Sequence, residues 1–184
     1  MGAHGAPPAG GDGVLAFLAG DGCPGLDGPA AARRLAGLLS FPTVATGAYG
    51  SGDWGAFEEQ RAYLRSHYPR VFSAATETLV EGAAGGGPQA LLLELPGCDP
   101  GLDPVMLMAH QDVVHGPFPG TADGTWVWGR GAIDMKVQLA GILEALELVL
   151  AEGRPLRRGV VVACGHDEEC LQEGARALAR TLGS

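Results

Sequence analysis

Positive charge and long apolar runs are both scarce in this sequence. Its 184 residues carry 12 Lys and Arg against 21 Asp and Glu, which gives a formal net charge of −9 at pH 7. Nucleic acids and anionic membrane surfaces bind clustered positive charge, so we expect neither as a partner. The apolar run Val14–Ala19 is too short to span a bilayer, and it lacks the preceding Lys or Arg of a secretory signal. No location is indicated, and the cytoplasm is the default expectation.

Cysteine is also scarce, and no Cys-x-x-Cys pair is present. The four cysteines stand at positions 23, 98, 164 and 170. Cys164 lies in a predicted buried strand, where a free thiol behaves as a small apolar side chain. The spacing favours unpaired, inert cysteines over a disulfide framework or a Cys-type zinc site.

Glycine and proline, in contrast, are abundant, with 31 Gly and 13 Pro. They concentrate before Ala30 and around residues 81–88. We expect residues 1–28 to form a flexible Gly/Ala/Pro-rich leader. Residues 29–184 are enough for one domain with a sizeable core and too few for two.

Hydrophobic periodicity predicts the secondary structure. From Asp134 to Ala151, apolar residues recur at the i, i+3, i+4, i+7 spacing of an amphipathic helix. Shorter helices are predicted at Ala30–Ser40, Trp54–Tyr68 and Glu169–Leu182. Continuously apolar strands are predicted at Ala90–Leu95, Val105–Ala109 and Val160–Cys164, and loops at residues 50–53, 81–87 and 116–124. Apolar strands separated by amphipathic helices indicate an α/β layered domain.

His110 and Asp112 follow one of these strands directly. Residues two apart at a strand end project the same way, so both side chains can enter one site. A zinc-bound imidazole needs its second ring nitrogen held by a carboxylate or a carbonyl, and ligand sites in α/β sheets lie at such strand ends. The alternative is a polar turn without a ligand.

Acidic residues also stand at two predicted helix starts. Asp134 suits a helix N-cap, and Lys136 is then expected to be a solvated residue of the first turn. Glu168 and Glu169 follow a buried strand, where the helix dipole favours acids. In the functional alternative one glutamate binds a metal and its neighbour takes a proton from water.

Three strand or loop ends would thus assemble one acidic pocket. The first end would contribute His110 and Asp112, the second Asp134, and the third the pair Glu168 and Glu169. Hard oxygen donors with one imidazole suit zinc, with cobalt or manganese as substitutes. His166 and Asp167 are not expected to be ligands, because adjacent side chains cannot all converge.

Three segments, Leu107–Val114, Trp128–Lys136 and Gly165–Glu169, resemble the zinc peptidase family of aminoacylases, carboxypeptidase S and the ArgE/DapE deacylases. The resemblance is closest to the carboxypeptidase S-like branch, which includes N-fatty-acyl-amino-acid hydrolases. It covers the chain from about Ala30 onward. It implies a three-layer α/β/α zinc-peptidase catalytic domain that is incomplete, lacking the family's C-terminal strands and its inserted lid domain.

The resemblance also implies roles for five residues. His110 would bind one zinc, Glu169 a second zinc, and Asp134 would bridge the two ions. Asp112 would be the catalytic acidic partner beside the histidine. Glu168 would be the general base as a metal-bridged hydroxide attacks the amide of a small peptide or an N-acyl amino acid.

Two alternatives to an active enzyme stay open. The resemblance places the family's remaining ligands beyond Ser184, so the first alternative is a truncated, inactive form with weak metal binding and an unpaired apolar sheet edge. A homodimer is expected only for a longer form, because the lid mediates it. The second alternative is an α/β binding module whose carboxylates are only caps and surface groups.

The sequence departs from the family pattern at two places. The segment between Asp112 and Asp134 is shorter than in the family, and residues 170–172 stand where the family has small glycine residues.

Overall fold

The computed structural model describes residues 23–46, 54–82, 88–116 and 120–183. The described helices are α1 Gly28–Leu38, α2 Trp54–His67, α3 Pro69–Ala74, α4 Lys136–Ala151 and α5 Glu173–Leu182. The described strands are β1 Thr76–Glu81, β2 Pro88–Leu95, β3 Val105–His110, β4 Thr121–Ala122, β5 Val127–Trp128 and β6 Val160–Gly165. Within these residues, no helix is both long and apolar enough to cross a bilayer.

Four strands form one mixed sheet in the order β1-β2-β6-β3. Strand β2 is antiparallel to both β1 and β6, whereas β3 runs parallel to β6. Strands β4 and β5 form a separate antiparallel pair. The parallel pair has its two carboxyl ends at the same edge of the sheet, because His110 is in register with Gly165.

Helices cover both faces of the sheet and create two apolar cores. Three consecutive leucines of β2 alternate between them: Leu91 and Leu93 face one core, and Leu92 faces the other. Side chains of α1, α2, α3 and α4 share the first core, and α5 contributes Ala177 and Leu178 to the second. The predicted three-layer α/β/α architecture is confirmed.

Both helices that adjoin the candidate site begin later than predicted. Helix α4 begins at Lys136 rather than Asp134, with Met135 as its N-cap residue. Helix α5 begins at Glu173 rather than Glu169, because residues 167–172 form a separate turn. Asp134 is therefore not a cap, and the two glutamates do not open a helix.

Sequence periodicity missed the short elements. Strand β1 has a largely polar sequence at the sheet edge, and β4 and β5 have two residues each, so none produces an apolar run. Pro69, expected only to end α2, also begins α3 at its first turn, where its missing N–H costs nothing. The loop predicted at residues 116–124 contains β4.

Several other predictions concern residues outside the described ranges or next to them. Of the predicted leader, residues 1–22 lie outside the described residues, and residues 23–28 lead into α1, with the Asp27 carboxylate accepting the Ala30 N–H at 2.9 Å. The predicted loop at 50–53 and residues 83–87 also lie outside them. All four cysteines are described and free of disulfide bonds, as predicted.

Strand β3 is the second edge strand of the sheet, and it carries exposed apolar side chains. Met106 and Met108 are 51% and 52% exposed. One backbone acceptor on this edge is covered, since Gln138 donates its side-chain N–H to the carbonyl of Met108 at 2.6 Å. No strand pairs with this side of β3 among the described residues.

Candidate metal centre

The carboxyl ends of β3 and β6 carry the polar residues singled out in the sequence. His110 is the last residue of β3 and is buried. Asp112 follows it and is fully buried. Its main-chain oxygen lies 3.0 Å from the His110 Nδ1, and its Oδ1 lies 3.3 Å from the same nitrogen. Both oxygens are acceptors here, so Nδ1 carries a proton and Nε2 faces the site.

The Asp112 carboxylate also holds the residues that follow β6. Its Oδ1 accepts the backbone N–H of Glu168, and its Oδ2 accepts that of Glu169, each at 3.0 Å. One buried carboxylate therefore fixes the imidazole and both glutamate backbones. This arrangement makes Asp112 a positioning group for these three residues.

Negative charge accumulates around the imidazole. Burial lowers the pKa of His110, but the hydrogen bond and charge of Asp112, together with Asp134, outweigh it and raise this pKa to about 9. Burial and the charge of Asp134 raise the pKa of Glu169. A cation at this position would relieve the repulsion among the carboxylates.

Asp134 approaches from the opposite side on the segment before α4. Its carboxylate is 72% exposed, and its Oδ1 lies 3.2 Å from the His110 Nε2. The segment turns at Gly131, whose φ of +84° favours glycine and whose substitution would place a Cβ 2.8 Å from Val113. The backbone N–H of Lys136 closes this turn by donating to the Gly131 carbonyl at 2.9 Å.

Lys136 is fully buried, so the expectation of a solvated side chain is wrong. Its Nζ donates to the carbonyls of Leu38 and Phe41, at 3.2 and 2.8 Å. Burial lowers the pKa of Lys136 to about 7, against the opposing charge of Asp112. The side chain joins the start of α4 to the end of α1, and it thereby anchors the segment that carries Asp134.

The structure brings His110, Asp134 and Glu169 together. One potential ligand atom of each lies within 4.8 Å of the other two. Glu168 lies beside them, with its Oε2 3.6 Å from the His110 Nε2. An imidazole and two carboxylates fit zinc, and three protein ligands are the usual number at a catalytic zinc.

The turn after β6 also contains Asp167, which the sequence excluded as a ligand and for which it predicted no other role. Asp167 is buried, and its two carboxylate oxygens accept the backbone N–H groups of Glu173 and Gly174. An acidic residue six positions before a helix is not a standard capping pattern, so the sequence offered no signal for it. His166 and Asp167 do not belong to the group of converging donors.

A cavity of about 660 Å³ opens beside the donors. His110, Asp134 and Glu168 line one part of it. The rest is largely apolar and is formed by side chains of β3, β6 and α5, including Met106, Met108, Ala163, Leu178 and Leu182.

Comparison with known sequences agrees with the local motifs. Residues 106–183 match the model of peptidase family M20/M25/M40. The N-fatty-acyl-amino acid synthase/hydrolase PM20D1 of Mus musculus is 35% identical over 159 residues, which cover 82% of this chain and 31% of that protein. The probable carboxypeptidase S-like 2 of Dictyostelium discoideum is 31% identical over 151 residues, covering 75% and 28% of the two chains.

Comparison with solved structures supports the fold. Human carnosine dipeptidase 1 superposes with a TM-score of 0.61 at 18% identity, covering 96% of this chain and 38% of that one. The chain spans about a third of the length of the curated relatives and solved structures that it matches.

Proposed function

We propose that the chain is part of a metal-dependent hydrolase of peptidase family M20/M25/M40, whose model matches residues 106–183, and that the whole protein cleaves amide bonds of small peptides or N-acyl amino acids. The observation that carries the proposal is the convergence of His110, Asp134 and Glu169 within 4.8 Å of one another. The substrate class follows from relatives whose names specify N-fatty-acyl-amino acids and a dipeptidase.

The proposed cofactor is zinc, as two ions. His110 would hold one ion, Glu169 the other, and Asp134 would be shared. Zinc at this position would lower the pKa of a bound water and polarise the amide carbonyl. Asp112 would keep the imidazole in the tautomer whose Nε2 faces the metal, as carboxylate partners of zinc-bound histidines do.

Glu168 is the proposed general base. Its carboxylate is partly exposed, lies beside the donors and lines the cavity. It can therefore accept a proton from the attacking water and transfer it to the leaving amine. Its backbone N–H is held by the Asp112 Oδ1, and its side chain is 45% exposed on the cavity side of the donors.

A second candidate is an inactive chain that binds metal weakly. It is favoured by the number of donors, because three described donors shared between two ions give neither ion three protein ligands. The exposed apolar edge of β3 also favours association over a closed active site.

The test is zinc binding and hydrolysis by the purified chain. Zinc content after dialysis and calorimetric titration are measured for the wild type, for His110→Ala and for His67→Ala, an exposed histidine on α2. We expect binding that only His110→Ala removes. Equal binding by all three proteins would contradict the proposed metal centre. Chelator-sensitive release of an amino acid from N-acyl substrates would reject the inactive alternative.

A further inference from the structure

Asp167 organises the turn that carries both site glutamates without facing the metal centre itself. It is 5% exposed, and its Oδ2 and Oδ1 accept the backbone N–H groups of Glu173 and Gly174, each at 2.8 Å. These N–H groups open α5, whose N-cap residue Gln172 makes no side-chain cap bond. The carboxylate therefore satisfies donors that a helix start leaves unpaired.

The main chain of Asp167 closes the same turn from within. Its carbonyl accepts the backbone N–H groups of Cys170, Leu171 and Gln172 at 3.2, 3.1 and 2.9 Å. The side chain and the carbonyl of Asp167 thus hold the backbone of the segment between β6 and α5. This segment contains Glu168 and Glu169.

The turn also has little freedom to shift. On its other side, Asp112 holds the backbone N–H groups of both glutamates at 3.0 Å. At Gly174 an added Cβ would lie 2.6 Å from the Nδ1 of His166 and 3.1 Å from the Oδ1 of Asp167. The glutamate pair is held between two buried carboxylates in a tightly packed surrounding.

We propose that Asp167 is a positioning residue of the candidate metal centre, which sets the Glu168–Glu169 turn so that the Glu169 carboxylate meets His110 and Asp134. Asp167 contributes no ligand atom to that group. Its effect passes through the backbone of the turn. The expected effect of Asp167 on metal binding rests on the proposed metal function. Its role in ordering the Glu168–Glu169 turn rests on the hydrogen bonds alone.

The experiment compares Asp167→Asn with Asp27→Asn in the full chain. Asp27 is a matched control, since its carboxylate caps α1 by accepting the Ala30 N–H at 2.9 Å. In Asp167→Asn an amide nitrogen replaces one of two acceptors and faces a backbone N–H. Three quantities are measured: cobalt(II) affinity, the visible absorption of bound cobalt, and hydrogen exchange of the Glu168 and Glu169 amides.

We expect Asp167→Asn to bind cobalt about ten- to a hundredfold more weakly, as for other residues that orient metal ligands. The absorption bands should shift and the two amides should exchange faster, whereas Asp27→Asn should match the wild type in all three. If circular dichroism shows that Asp167→Asn is unfolded, Asp167→Ser, which keeps one small acceptor, replaces it with the same expectations.

Wild-type affinity, spectrum and exchange in the folded Asp167 variant would overturn the inference and leave the proposed function intact. Failure of the wild type to bind cobalt or zinc would instead contradict the proposed function. In that case the exchange rates alone decide the structural part, and unchanged rates overturn it.

Discussion

The two sides of the candidate centre are built differently. On one side, the main-chain oxygen and the carboxylate of Asp112 hold the His110 Nδ1, and the same carboxylate accepts the backbone N–H groups of Glu168 and Glu169. On the other side, the Asp134 carboxylate is 72% exposed and approaches on a segment that is anchored two residues away by Lys136. The buried side is held by hydrogen bonds to the site residues themselves, whereas the exposed side is held through the neighbouring residue Lys136. Substitutions on the two sides should therefore separate stability from metal binding.

The largest difference is expected between Asp112→Asn and Asp134→Asn. Asparagine at 112 places a donor against a buried backbone N–H, which should lower the free energy of unfolding by about 3 kcal/mol. Asparagine at the exposed position 134 should change it by less than about 0.5 kcal/mol and yet reduce zinc binding. Denaturant unfolding of the metal-free proteins measures the first effect, and calorimetry measures the second. Equal losses of stability would mean that the two sides do not differ.

Lys136→Met should sharpen the comparison on the exposed side. It leaves the carbonyls of Leu38 and Phe41 without their donor, and an unsatisfied buried acceptor costs about 1–3 kcal/mol. Loss of the anchor should also weaken zinc binding through Asp134. The control is Arg154→Met, which removes an exposed charge and should alter stability by less than about 0.5 kcal/mol. Unchanged zinc affinity in a destabilised Lys136→Met would show that the segment keeps its shape without the anchor.

The contributions of the two sides to the free energy of unfolding should change with pH in opposite directions. The pKa of His110 is raised from 6.5 to about 9. The contribution of His110 to the free energy of unfolding is therefore fully present below pH 6.5 and is lost as the pH rises to 9. The pKa of Lys136 is lowered from 10.5 to about 7, so stability rises with pH from 7 to 10.5 because the unfolded chain binds the extra proton.

Subtracting the free energy of unfolding of a variant from that of the wild type isolates the contribution of each group, measured in the metal-free protein. The stability difference between wild type and His110→Gln should shrink between pH 6.5 and 9, with a slope of at most about 1.4 kcal/mol per pH unit. The difference between wild type and Lys136→Met should change in the opposite direction above pH 7. Parallel curves for wild type and His110→Gln would show that Asp112 does not favour the protonated imidazole.

The sequence predicted the elements that have strong periodicity, missed the polar or very short strands β1, β4 and β5, and did not reveal the environment of residues whose partners are distant. The three leucines of β2 and the apolar period of α4 predicted both elements, because their burial follows from the residues themselves. The environment of Lys136 was not predictable, since its acceptor at Leu38 lies 98 residues away. The cap considered for Asp134 does not form, whereas its predicted convergence with His110, 24 residues earlier, places the two side chains 3.2 Å apart.

The place of β6 in the sheet determines when the centre can form during folding. Strand β6 is the last of the described strands along the chain, yet it lies between β2 and β3. Among the described strands β6 is the one that pairs with β3, so β3 joins this sheet only once residues 160–165 have been inserted. Long-range pairing of this kind raises contact order and slows folding. The observed convergence of all three donors therefore depends on the closure of the sheet.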